Sequence, residues 1–432
     1  MDSNTVRAKH KQFLFPNVGN FYAEPLVPVK AQGMHLWDAE GKKYLDFFAG
    51  ILTVSVGHCN PKVVEETAAQ LRTLGHVSTL YPTEPIVRMA EKMASLAPKH
   101  DAGWKLMFTS SGSEANETSV LAAKVATGAQ DMIALRHSYG GRTSTALNMM
   151  GHKSYRPRGS EIPGIKHAHA PYCYRCDFGL TYPSCEMRCA KDIETLIQTE
   201  TSGAISCFIA EPVMGVGGFI TPPKEYFQVA VPIVRKYGGL FIADEVQTGF
   251  GRTGNGWWGI DSFGVTPDIM SFAKGIANGA PVGATMAKAE VADKQTYSSI
   301  ATFGGNPVSM VQALATLSVI EHERLIENAK TVGGYLRDGL NALAERFTGI
   351  GDVRGMGMMQ ALELVKDRNT KEPDPQGANR LMEASRKRGL LIGKGGLYGN
   401  VMRIAPPMIA TRGDVDEALK ILGESFAESA QA

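Results

Sequence analysis

The sequence predicts an α/β protein: a large domain built on a mostly parallel sheet, followed by a smaller α+β domain. Three observations predict it. The chain has 432 residues, more than one hydrophobic core usually serves. From about residue 60 to 310, short apolar runs alternate with polar or Gly-rich turns and helix-like stretches, the pattern of strands joined by crossover helices. Beyond Pro307 the period lengthens to that of a helix.

Taken in order, residues 1–60 read as short strands and turns that pack with the last domain. Met34–Trp37 and Lys43–Phe47 flank the turn Asp38-Ala39-Glu40-Gly41, a hairpin signal. Residues 61–310 form the large domain, with strands expected at Lys105–Phe108, Met132–Leu135, Ile205–Ala210, Leu240–Ala243 and Ile269–Phe272. Residues 311–432 form the small domain. In it Val332, Leu336, Leu340, Leu343 and Phe347 make one helix face, Val353 to Leu364 reads as a strand-like run, and a last amphipathic helix follows Asp414.

Composition narrows the function. The formal net charge is +2 with no basic block, which gives no electrostatic footprint for nucleic acid or a membrane surface. No stretch approaches the ~18–20 apolar residues of a membrane helix, and residues 1–17 hold no signal-peptide core. Six cysteines are too sparse for a secreted disulfide scaffold. The expectation is a soluble cytoplasmic protein.

Open parallel sheets bind ligands beyond the carboxyl ends of their strands, so the residues after each strand carry the chemistry. They are Ser111-Gly112-Ser113, His137-Ser138-Tyr139-Gly140-Gly141-Arg142, Glu211-Pro212, Asp244-Glu245-Val246-Gln247 and Ala273-Lys274. Each alone is an ordinary cap, turn or solvated side chain. On one rim they form a set. Gly112 and Ser113 offer a phosphate the amides of a helix N-terminus. Tyr139 offers a flat ring a stacking partner. Asp244 offers a protonated pyridine nitrogen a carboxylate, and Lys274 offers an aldehyde an amine. Those are the needs of pyridoxal 5′-phosphate.

The chain also resembles the class III, or ω-amino acid, aminotransferases, fold-type I enzymes that use pyridoxal phosphate. The likeness runs from about Phe21 to Phe426. It rests on Thr109–Glu117, His137–Thr143, Ile242–Gly249, Phe272–Gly275 and Thr302–Pro307, with Asp244 and Lys274 thirty residues apart, each just past a strand. The resemblance implies transamination between an amino or ω-amino acid donor and a 2-oxo acid such as pyruvate or glyoxylate. It implies that Lys274 forms a Schiff base with the cofactor and shuttles the proton, while Asp244 holds the ring nitrogen cationic. Ser111, Gly112, Ser113, Tyr139, Gly140, Val246 and Gln247 are implied as further cofactor contacts. Thr302 would reach the phosphate of a neighbouring subunit, so a homodimer with two shared sites is expected.

On the substrate side the resemblance implies that Arg403 binds the carboxylate, for which a guanidinium fork is well shaped. Arg142 is a candidate for a distal carboxylate, and Glu211 is a further candidate substrate contact. In one respect the chain departs from the ornithine and 4-aminobutyrate enzymes. Where those carry a glutamate that masks the arginine, it has Val216, with Met214 in place of the usual glutamine. That favours substrates presenting a carboxylate in both half-reactions. The alternatives are a 4-aminobutyrate or acetylornithine type of aminotransferase, or a racemase, decarboxylase or lyase on the same scaffold.

Four cysteines cluster within seventeen residues, at 173, 176, 185 and 189. Zinc, a disulfide and reduced thiols all fit such spacing; none implies catalysis, and no metal is assigned. A metal-binding protein built on this cluster would leave Lys274 without a purpose. A dinucleotide enzyme lacks its motif, since Gly355-Met356-Gly357 has no third glycine.

Overall fold

A computed structural model describes residues 1–429. Its centre is a seven-stranded sheet. From edge to edge the strands are Trp104–Thr109, Gly283–Lys288, Ile269–Phe272, Leu240–Asp244, Cys207–Ala210, Met132–Leu135 and Ile165–Ala168. Gly283–Lys288 runs antiparallel to both neighbours, and the other pairings are parallel. Met132–Leu135, Cys207–Ala210 and Ile269–Phe272 are buried at every residue. Helices cover both faces, and for that reason these strands read as continuous apolar runs and not as alternation.

The five expected strands lie within two residues of their expected bounds. Two more escape the sequence reading. Ile165–Ala168 is a short edge strand with two polar residues, and Gly283–Lys288 is rich in small residues with weak strand preference.

The first sixty residues need a correction, because Ser3–Phe13 is a helix. Asp2 caps it, accepting from the Thr5 amide at 2.8 Å. Only Ser3 is buried there, so no apolar stripe announces the helix. The expected hairpin forms: His35–Asp38 pairs antiparallel with Lys43–Asp46, His35 facing Leu45. The Asp38 carboxylate closes the turn by accepting from the Glu40 and Lys42 amides. Leu390–Leu391 then adds to Lys43–Asp46 in parallel.

The strand-like run Val353–Leu364 is two strands, Ile350–Met356 and Met359–Leu364, folded back on each other. The turn passes through Gly357 at φ +51°, where a β-carbon would meet the Thr253 carbonyl carbon at 2.5 Å. Val401–Ile404 and Gly393–Gly395 complete this antiparallel sheet. Helix Leu325–Arg346 packs with Val332, Leu336, Leu340 and Leu343 inward, and Arg412–Ser429 with Val415, Leu422 and Phe426. Among the described residues no helix is long and apolar enough to cross a membrane.

Candidate active site

The carboxyl ends of the parallel strands surround a cavity of about 160 Å³, close to the ~150 Å³ that admits a benzene ring in an engineered site. Ten of the expected site residues line it: Gly112, Ser113, Tyr139, Gly140, Arg142, Glu211, Asp244, Val246, Gln247 and Lys274. Ser111 stands just behind, as the cap of helix Gly112–Thr127, its hydroxyl accepting from the Glu114 amide at 3.2 Å. The Glu114 carboxylate accepts in turn from the Ser110 amide, one residue before the cap, at 2.7 Å. These two bonds fix the helix start, so the Gly112 and Ser113 amides head the helix at the cavity wall.

Lys274 follows strand Ile269–Phe272 by one residue and turns at φ +48°. Burial lowers the pKa of its amine, and the positive field of Arg403 adds to this against Asp244 and Glu211. Asp244 ends its own strand. Burial pushes its carboxyl up, while the Asn116 side-chain amide at 2.8 Å and the Val246 amide at 3.0 Å pull it back. Glu211 accepts from the Tyr139 amide at 3.0 Å and the Gly215 amide at 2.8 Å. Burial and the nearby Asp244 charge hold its carboxyl well above the usual range.

Three close approaches shape the walls. A β-carbon on Gly112 would lie 3.2 Å from both methyls of Val246. Gly141, at φ +141°, leaves room for Ser113, whose hydroxyl accepts from the Arg142 amide at 3.0 Å. Gly215 lies flat against the Gln247 side chain, where a β-carbon would come within 2.2 Å of the amide nitrogen.

The residues fit pyridoxal phosphate on observations of their own. A capped helix start faces the cavity for an anion. Tyr139 and Val246 are half-buried at its walls. The Gln247 Oε1 atom is buried with no partner, an arrangement that calls for a donor such as a ring hydroxyl.

Arg403 lies outside the cavity lining but within electrostatic reach of it, since its charge acts on Lys274 and it feels Glu211. Burial lowers its pKa to about 10. Its Nε donates to the Lys394 carbonyl at 3.2 Å, and its Nη1 is buried without a partner. Thr302 does not reach this cavity. It is exposed, in a segment whose Ile300 and Phe303 are each 65% exposed. Asn116 is a residue that sequence reasoning missed as a site residue; it lines the cavity and touches Asp244. No local signal marks it, because its partners Gly140, Asp244 and Ser271 come from other elements.

The cysteines lie apart. Cys173, Cys176, Cys185 and Cys189 are free thiols lining a small separate cavity. Among the described residues no three His, Cys, Asp or Glu side chains are grouped as a metal ion needs. Burial raises the Cys189 thiol to about 12.

Comparison with known proteins accords with this geometry. The family model described as aminotransferase class-III matches residues 18–426. An alanine–glyoxylate aminotransferase 2 homologue of Arabidopsis thaliana, named as mitochondrial, is 42% identical over 99% of this chain and 88% of its own. The human mitochondrial alanine–glyoxylate aminotransferase 2 is 37% identical over 98% of this chain and 86% of its own. A leucine/methionine racemase of Thermococcus litoralis is 35% identical over 96% and 94%. Among solved structures, a PLP-bound amine transaminase from an uncultivated Pseudomonas species superposes with a TM-score of 0.89 at 30% identity, covering 96% of this chain and 98% of its own. The expected fold-type I architecture therefore holds, and the chain belongs to the class-III aminotransferases, enzymes that transfer amino groups with pyridoxal phosphate.

Proposed function

We propose that the enzyme moves amino groups from an amino acid or ω-amino acid to a small 2-oxo acid, with alanine, pyruvate and glyoxylate among its substrates. The observation that carries this reading is Arg403, a buried guanidinium with an unpartnered nitrogen beside a cavity that holds Lys274 and Asp244. Pyridoxal phosphate supplies an aldehyde for the amine and a ring that draws electrons from the amino-bearing carbon. The chain supplies the rest. Gly112 and Ser113 hold the phosphate end, aided by Ser111 and Gly140. Tyr139 and Val246 sandwich the ring, and Gln247 meets its hydroxyl. Asp244 keeps a proton on the ring nitrogen, and that contact offsets the cost of burying its own charge. Lys274, its pKa lowered by burial, would hold the aldehyde until the substrate's amino group displaces it, and the freed ε-amine would then take the proton from the substrate's amino-bearing carbon.

Arg403 orients the substrate carboxylate. It makes no ion pair among the described residues. A β-carbon on Gly395 would meet both the Val216 carbonyl at 2.8 Å and the Arg403 Nε at 3.0 Å, and the Val216 side chain carries no carboxylate. With no carboxylate side chain to mask it, Arg403 is available in both half-reactions. Arg142 is exposed at the cavity rim, where a distal carboxylate would meet it, and Glu211 also lines the cavity.

The working form in this proposal is a homodimer in which Thr302 reaches the partner's phosphate site. Ile300 and Phe303 expose large apolar surface beside Leu80 and Tyr81, which are 63% and 65% exposed. The two segments are tied by Thr79, whose hydroxyl donates to the Ala301 carbonyl at 3.2 Å. Such patches mark interfaces. The division at residues 60 and 310 belongs to the same reading, and the pairing of Leu390–Leu391 with Lys43–Asp46 supports grouping the first segment with the last. The compartment proposed is the cytoplasm; fractionation of cells decides between it and the mitochondrion of the plant and human relatives.

A donor panel with pyruvate and glyoxylate as acceptors tests the substrate reading: turnover of ornithine or 4-aminobutyrate well above that of alanine would overturn it. The racemase relative favours a second reading. A single half-reaction with L-alanine and no acceptor separates the two, since a transaminase loses the aldehyde absorbance and stops, whereas a racemase keeps it and yields D-alanine.

A further inference from the structure

Asn116 is buried, 1% exposed, on the first full turn of helix Gly112–Thr127. Its amide nitrogen donates to Asp244 Oδ2 at 2.8 Å and to the Gly140 carbonyl at 2.7 Å. Its carbonyl oxygen accepts from the Ser271 hydroxyl. Two acceptors face the nitrogen and one donor faces the oxygen, so the amide has a single orientation. The three partners lie beside three loops of the site: Gly140 next to Tyr139, Asp244 itself, and Ser271 three residues before Lys274. Asp244 Oδ1 is meanwhile held by the Val246 amide at 3.0 Å. One donor on each oxygen fixes the plane of the carboxylate and favours its charged form where burial opposes it.

We propose that Asn116 is a positioning residue, which sets the plane and charge of Asp244 and thereby the protonation of the pyridine nitrogen that Asp244 faces. The inference rests on the reading that Asp244 meets that nitrogen. Without the Asn116 donor, Oδ2 is buried and short of a bond, so the carboxylate gives up its charge or turns toward another partner. Either way it holds the ring proton less firmly. A residue that only packed the helix would leave that proton where it is.

The test is the ¹⁵N chemical shift of the labelled ring nitrogen in the holoenzyme, read by solid-state NMR, together with cofactor affinity from titration of the apoenzyme. Asn116→Leu keeps the size and removes the bonds. Its ring-nitrogen shift is expected to move toward the unprotonated position, cofactor affinity to fall at least tenfold, and the L-alanine half-reaction to slow with little change in the half-saturating alanine concentration. Ser271→Ala, which removes only the donor to the Asn116 carbonyl, should move the shift less in the same direction, and it decides the matter if the leucine variant does not fold. Asp244→Asn is the control. If Asp244→Asn moves the shift and both of the other variants leave it in place, the role of Asn116 is overturned. If Asp244→Asn also leaves it in place, the assignment of Asp244 to the ring nitrogen fails first.

Discussion

The guanidinium of Arg403 lies over the ring of Phe48, 4.9 Å from its centroid. One residue comes from the last strand of the chain and the other from its first fifty residues. The ring holds the charge by its face and leaves the fork's edge free. With Phe219 at 5.9 Å and the Lys394 carbonyl on Nε, the side chain is aimed but not neutralised, the condition under which an arginine can bind a carboxylate and release it.

Arg403→Ala should therefore raise KM for carboxylated donors and acceptors by about 10- to 150-fold, the loss of a charge-assisted pair worth ~1.5–3 kcal/mol. Simple amines should change little. Steady-state kinetics with L-alanine and with 1-phenylethylamine make the comparison, and an equal rise for both removes Arg403 from the carboxylate site.

Lys274→Ala should lower turnover by more than ~10³-fold, because in the proposed function it is the group that binds the aldehyde and moves the proton. Borohydride reduction of the native enzyme followed by peptide mapping should place the label on Lys274. A label on another lysine would reassign the site.

Gly215→Ala should weaken cofactor binding and stability together. The new methyl would lie 2.2 Å from the Gln247 amide nitrogen, and overpacking of this kind costs about 1–3 kcal/mol. Melting curves with and without cofactor measure it. A change in neither would mean that Gln247 moves freely and is not held for the ring.

Stability should fall in mild acid. Burial, aided by the neighbouring His152, lowers His137 to about 4 from 6.5, and burial lowers His152 and His167 as well. Between pH 6.5 and 4 the unfolded chain binds protons that the folded one refuses, so stability present above pH 6.5 is lost on the way down, by up to about 3 kcal/mol for His137. Urea unfolding at pH 7, 6, 5 and 4.5 should show the slope, and His137→Gln should flatten it.

By itself the sequence determined the apolar strands and the short polar motifs that follow them. Both are local: a buried strand must be apolar on both faces, and a turn beyond it needs particular residues. Asp244, Lys274, Tyr139 and the capped helix start were legible for that reason, and ten of the expected residues do line one cavity. The N-terminal helix was not legible, because it buries almost nothing. Asn116 was not singled out either. Its amide bonds run to residues 24, 128 and 155 positions away, and nothing local distinguishes it from any polar residue in a helix. Only the tertiary structure decided that Arg403 rests on Phe48, that Gly215 makes room for Gln247, and that Thr302 is exposed, away from the cavity of its own chain. Those are distances between segments far apart in the chain, set by how sheets and helices pack, and no local residue preference encodes them.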